Sequence, residues 1–145
     1  MSDAPQSYEN HTRFVTGYHK VGVPMVALPA LFFLVRAFTD FSPAALALAL
    51  FTVGTAICVF YARTFATGVQ DRVIRLEEQI RMERLLSPDL LPRVDEISTR
   101  QRVALRFASD GELESLVRRV LQGEVTSAKE IKAAIEEWRP DHERI

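Results

Sequence analysis

The sequence predicts an all-α fold: a two-helix transmembrane hairpin, its second span extended into a long cytoplasmic helix, followed by a small cluster of short helices. Three observations carry this expectation. Charge is segregated, with four Lys/Arg and three Asp/Glu in residues 1–63 against 14 and 16 in residues 64–145. Two long apolar runs fill the charge-poor half, only a few residues apart. In the other half, serines recur at the spacing of helix starts. Composition narrows the alternatives. A hydrophobic content of 48% excludes a disordered chain. The single cysteine, Cys58, excludes a disulfide scaffold. A net charge of −1 gives nucleic-acid binding no support.

Residues 1–20 form a polar N-terminal segment. The hairpin occupies residues 21–63, with spans at about 21–38 and 42–62. The first run, Val21 to Phe38, holds 15 uncharged residues before Arg36. Pro29 lies inside it, where a helix is expected to kink. In a membrane, neighbouring groups can satisfy the carbonyl that proline frees. Arg36 is close enough to the end to reach the headgroups. The run starts behind Asp3 and Glu9 and a second apolar run follows at once, so a retained span is expected rather than a cleaved signal. Phe41 to Ala62 is the cleaner run, 22 residues without a charge. As a helix it rises about 33 Å, enough for a hydrocarbon core of ~30 Å. Ser42 and Pro43 make an N-cap and first-turn pair.

Thr39 to Ser42 leave room only for a tight turn, so both termini share a side. Arg13, Lys20, Arg63, Arg72 and Arg75 flank the termini side, whereas the turn has Arg36 offset by Asp40. The positive-inside rule therefore places both termini in the cytoplasm.

Residues 64–86 continue the second span as a cytoplasmic amphipathic helix. Ala62, Ala66, Val69, Val73, Leu76 and Ile80 alternate by four and three, the spacing of a coiled-coil a/d seam. Asp71–Arg75 and Glu77–Arg81 are spaced as i, i+4 ion pairs. The seam fails at Glu83, short of the three to four heptads a free-standing coiled coil needs. It has two outlets: a parallel copy, with Arg72 at g facing Glu77 at e, or the chain's own C-terminal helices. Gly54, Cys58 and Ala62 form a second face of small residues, which permits close helix approach. The expected helix-contact face is thus Gly54, Cys58, Ala62, Val69, Val73, Leu76 and Ile80.

In residues 87–145 short helices are expected. Ser87–Pro88 is a stop and restart signal. Ser98-x-x-Gln101, Ser109-x-x-Glu112 and Ser127-x-x-Glu130 match the capping box. They open helices expected over Thr99–Ala108, Asp110–Gln122 and Ala128–Trp138. Gly123 is a natural C-cap and Pro140 a terminator. No strand pattern stands out.

Chemistry is sparse. His11 and His19, with Glu9 or Asp3, are the one set able to meet a metal at the membrane face, but their spacing is not that of a ligand motif. There is no Gly-rich phosphate loop, no Gly-x-Ser-x-Gly and no His-Glu-x-x-His. Arg100, Arg102 and Arg106 form the densest basic patch, a candidate contact for anionic lipid diluted by Asp95 and Glu96. Arg118–Arg119 is expected on a solvated helix face. Neither span holds a mid-membrane charge that would serve an ion path. No catalytic residue, cofactor, metal, nucleic acid or small-molecule substrate is therefore expected.

Four segments carry a resemblance: Tyr8-Glu-Asn-His-Thr-Arg13, Gln70-Asp-Arg-Val-Ile-Arg-Leu-Glu-Glu78, Leu105-Arg-Phe-Ala-Ser-Asp110 and Trp138-Arg-Pro-Asp141. Together they resemble a family of small two-span bacterial membrane proteins of unknown function, over nearly the whole chain. The resemblance implies a bacterial cytoplasmic (inner) membrane and brings no activity or functional residue. The expectation is a non-enzymatic interaction or scaffold protein presenting its cytoplasmic helical region. The alternative is an accessory subunit of a transporter or membrane enzyme. Its partners are the lipid bilayer and either further copies of itself or a larger membrane protein.

Overall fold

The computed structural model describes residues 6–10 and 14–141. The chain divides into two compact units, residues 13–66 and residues 1–12 with 67–145.

In the first unit, a π-helical turn at Gly17–Gly22 leads into α1, Val23–Thr39. The helix therefore starts four residues before the expected span. Apolarity marks where a helix could cross a bilayer, whereas backbone hydrogen bonding decides where it begins; the His19 N–H already donates to the Val15 carbonyl at 2.9 Å. Helix α1 runs through Pro29 without a break. At the C-terminal end of α1, the Arg36 guanidinium pairs with Asp40, the sign that favours a helix C-terminus. After this short turn α2 runs from Pro43 to Leu85. The Ser42 hydroxyl accepts the Ala45 N–H at 3.1 Å, so the expected cap forms. Within the first unit the hydroxyls of Thr52, Thr55 and Thr64 donate to the carbonyls of Leu48, Phe51 and Phe60. Such back-bonding satisfies each hydroxyl within its own helix.

Both helices are long and apolar enough to cross a membrane. Their apolar side chains are not a protein core. Only 6% of the most apolar window of the first helix and 11% of that of the second is buried. The residues that are buried in this unit, Ala30, Ala45 and Ala49, are all small.

The second unit has a core of its own. From α2 it takes Met82, then Leu86, Leu90, Val94 and Ile97 as the chain turns away; Ile74 is buried earlier on the helix. Ser87–Pro88 does not restart an α-helix. A turn and a 3-10 helix, Leu91–Glu96, follow instead, because the Ser87 hydroxyl is taken by Glu114 at 2.9 Å rather than by the next turn of backbone. Three short helices complete the unit: α3 (Thr99–Leu105), α4 (Leu113–Leu121) and α5 (Ala128–Ala133). Reciprocal capping boxes form at Ser98–Gln101 and Ser127–Glu130. Gly123 closes α4 with φ +78°, the left-handed conformation that glycine adopts without strain.

Two of the expected helices end differently. At Ser109 the box forms, with Ser109 N–H to Glu112 at 3.1 Å and Glu112 N–H to the Ser109 hydroxyl at 3.3 Å. Helix nevertheless begins only at Leu113. The Glu112 carboxylate also accepts the N–H groups of Glu136 and Glu137, at 3.0 and 3.2 Å, so it ties the incoming chain end down instead of only capping α4. Correspondingly, α5 stops at Ala133 and does not reach Trp138. Residues beyond it run beside Phe107–Ser109: Ser109 N–H donates to Glu137 O at 3.0 Å, Arg139 N–H to Phe107 O at 2.7 Å, and Ala108 and Trp138 form a single β-bridge. α3 likewise yields at Leu105 to make room for this pairing.

Candidate functional site

The concave feature of the second unit lies along α2. Ile74, Glu78 and Met82, spaced i, i+4, are the buried line of the helix. A glutamate in the middle of that line hides it from a search for apolar periodicity. Opposite stand Arg106, Asp110 and Arg139–Asp141, and between the two walls lies an open groove of about 710 Å³.

The groove is floored by ionic pairs. Arg81, almost buried, donates to Glu78 at 3.1 Å, to Asp110 through Nε at 2.8 Å, and to the Ala108 carbonyl at 2.7 Å. Arg139 approaches Glu78 at 3.7 Å and Arg106 pairs with Asp141 at 2.9 Å. The lining holds four arginines, Arg81, Arg84, Arg106 and Arg139, and four carboxylates, Glu77, Glu78, Asp110 and Asp141. Equal numbers of opposite charges make a clasp of the chain end onto α2, not a site of one sign. Gln6 joins the clasp. Its side-chain oxygen accepts the Asp141 N–H at 2.8 Å and the Trp138 indole N–H at 3.4 Å, and its amide donates to the Asp141 carbonyl at 3.3 Å.

Burial pushes the Glu78 carboxyl above its ordinary range, against the pull of Arg81, Arg139 and Arg106. Desolvation wins because those cations are themselves engaged or partly hydrated. Glu78 thus favours the fold most when protonated, and its contribution declines as pH rises through its raised pKa. Asp89 has the opposite sign. Its hydrogen bond from Arg118, with one from Ser87, holds it at about 2, so its contribution is present at neutral pH and fades as pH falls through that value. A Glu78→Gln chain should therefore be more stable than the parent at pH 8, since it removes a carboxylate that burial disfavours while Arg81 keeps Asp110 and Ala108 as partners. The gap should close as the parent's Glu78 protonates. Thermal melts followed by the emission of Trp138, the only tryptophan, test this; equal destabilisation at both pH values would refute it.

The face expected to make contacts is placed clearly. Val69, Val73, Leu76 and Ile80 are 61, 48, 62 and 51% exposed. The stripe therefore does not pack on the chain's own short helices, which use the neighbouring line of α2 instead. In the other unit Cys58 and Ala62 are exposed and Gly54 partly so. A side chain at Gly54 would meet no atom within 4 Å, so packing within the chain does not demand a small residue there.

Other sequence candidates resolve into structure. Arg102 is 1% exposed and Arg106 is buried, which leaves Arg100 alone of the basic patch at the surface. Arg118 binds Asp89 and Glu114, and Arg119 binds Glu124. The Asp71–Arg75 and Glu77–Arg81 pairs do not form; Arg81 turns to Glu78 and Asp110, whose positions allow three hydrogen bonds instead of one. His19 shares its Nδ1 with the Val15 backbone at 3.0–3.2 Å and stacks on Phe14 at 4.6 Å. His11 and Asp3 lie outside the described residues.

One family model, that of DUF6526, a family of unknown function, matches residues 1–145. No curated protein and no solved structure matches the chain.

Proposed function

We propose a role from the premise that this chain belongs to DUF6526, a family of unknown function: it is an integral protein of the bacterial inner membrane that works by contact, not catalysis. Helices Gly17–Thr39 and the first half of Pro43–Leu85 span the bilayer as a hairpin. Both termini are cytoplasmic, and residues 64–145 present helical surface there. The bacterial setting rests on the resemblance of the four sequence segments.

The observation that carries this reading is the bonding of Gln6 to Trp138 and Asp141. Residues before the first span and residues after the second can meet only if they share a side. That requires an even number of crossings, as a hairpin provides. The low burial of both apolar helices supports the same reading, since a soluble core helix of that length hides its apolar side chains. Arg63, Arg72 and Arg75 support a cytoplasmic placement of the shared side.

Green fluorescent protein and alkaline phosphatase fused after residue 145 test the topology. Fluorescence without phosphatase activity is expected, and active phosphatase would reverse the orientation. For the contact role, native mass after gentle extraction is expected to exceed the 16.4 kDa of one chain. A protein that emerges monomeric from its own membrane, with nothing attached, sinks it.

A further inference from the structure

We infer that the exposed stripe Val69–Val73–Leu76–Ile80 docks a second copy of this chain in parallel. The inference rests on the contact role proposed above and names the partner. These four side chains are 48–62% exposed while the adjoining line of α2, Ile74, Glu78 and Met82, is buried. The stripe, of which Val73 and Ile80 also border the open groove, is thus an apolar helix face left uncovered among the described residues.

Its chemistry suits a copy of itself. A two-fold interface must be self-complementary, because every patch meets its own image. With Val73 and Ile80 at a and Leu76 at d, β-branched residues alternate with leucine in the pattern that favours two parallel strands. Arg72 then falls at g and Glu77 at the following e, so each copy's Arg72 faces the other's Glu77. In the single chain neither residue is engaged in a hydrogen bond or ion pair among the described residues. The remaining facing pairs, Phe65 with Gln70 and Gln79 with Arg84, oppose no like charges. Insertion in a common orientation makes the two helices parallel. Confinement to one membrane raises the local concentration, which offsets the shortness of the seam.

Single-cysteine chains in a Cys58→Ser background, oxidised with copper–phenanthroline in their own membranes, test this. Leu76→Cys should give a disulfide-linked species of twice the chain mass. Arg75→Cys, one residue away at c, should not. Both sites are exposed, so neither change disturbs the core. In the Leu76→Cys chain, Arg72→Glu or Glu77→Arg alone should lower the cross-linked fraction about fivefold at low salt. The two together should restore it. Equal cross-linking at residues 75 and 76, or single charge reversals without effect or without rescue by the double, overturns the parallel seam. No cross-link from Leu76→Cys, with a different protein co-purifying in fixed ratio, overturns the second copy but leaves the contact role standing. No cross-link and no companion protein overturns both.

Discussion

Replacing Arg102 by alanine should destabilise the second unit by about 3–5 kcal/mol. Its side chain is 1% exposed. The guanidinium donates to the carbonyls of Val94 at 2.8 Å and Ile97 at 3.1 Å, and to the Gln79 side chain at 3.3 Å. The two carbonyls lie at the end of the 3-10 helix Leu91–Glu96, where that of Val94 also accepts the Ile97 N–H at 3.1 Å and that of Ile97 lies past the last turn. The cation therefore serves as that helix's cap and fastens it to α3 and α2 together. Asp95, 3.4 Å away, contributes little because its carboxylate is 87% exposed and stays hydrated. Alanine would remove the donors and leave a void. Methionine would keep much of the volume and remove only the donors, so it should lose about 2 kcal/mol. The order parent, Met, Ala should appear in denaturation of the full chain followed by Trp138 emission. An alanine variant within 1 kcal/mol of the parent, roughly 4–8 °C for a unit of this size, contradicts this role for Arg102.

Arg102 also shows which parts of the molecule were legible in the sequence. Features set by local spacing were. The serine boxes at Ser98 and Ser127, the Ser42–Pro43 start and the Gly123 stop depend on groups three or four residues apart, and each forms. The two apolar runs are equally local, and α2 ends at Leu85, one residue from its expected limit. Features set by tertiary partners were not. Arg102 and Arg106 look like surface cations until Val94, Ile97 and Asp141 are seen around them. Glu78 interrupts an apolar line, so the buried face of α2 carries no continuous apolar periodicity, whereas the exposed one does. Arg81 left its local partner Glu77 for Glu78 and distant Asp110. Glu112 shows both cases at once, since its local box was visible and its bonds to Glu136 and Glu137 were not.

The same reasoning makes Phe107 the most costly apolar position to empty. Local pattern placed it on a helix of Thr99–Ala108, and the structure puts it just past the end of α3, fully buried. Trp138 stacks on its ring at 4.7 Å between centroids and 20° between planes. The Arg106 guanidinium lies 4.2 Å from the ring centre and Lys132 5.4 Å. Its carbonyl also receives the Arg139 N–H, so the ring and the backbone hold the same returning segment. Phe107→Ala should lose about 3–5 kcal/mol, from transfer and the unfilled cavity. Phe107→Leu should lose less, because it keeps an apolar filling though not the stacking, which adds about 0.5–1.5 kcal/mol. Trp138 emission should shift to the red in the alanine variant as the indole loses its apolar neighbour. A large loss of stability with unchanged emission would mean that Phe107 supports the core without positioning Trp138. A small loss in both variants would mean that the Arg106–Asp141 ion pair and the hydrogen bonds of Gln6 hold the chain end unaided.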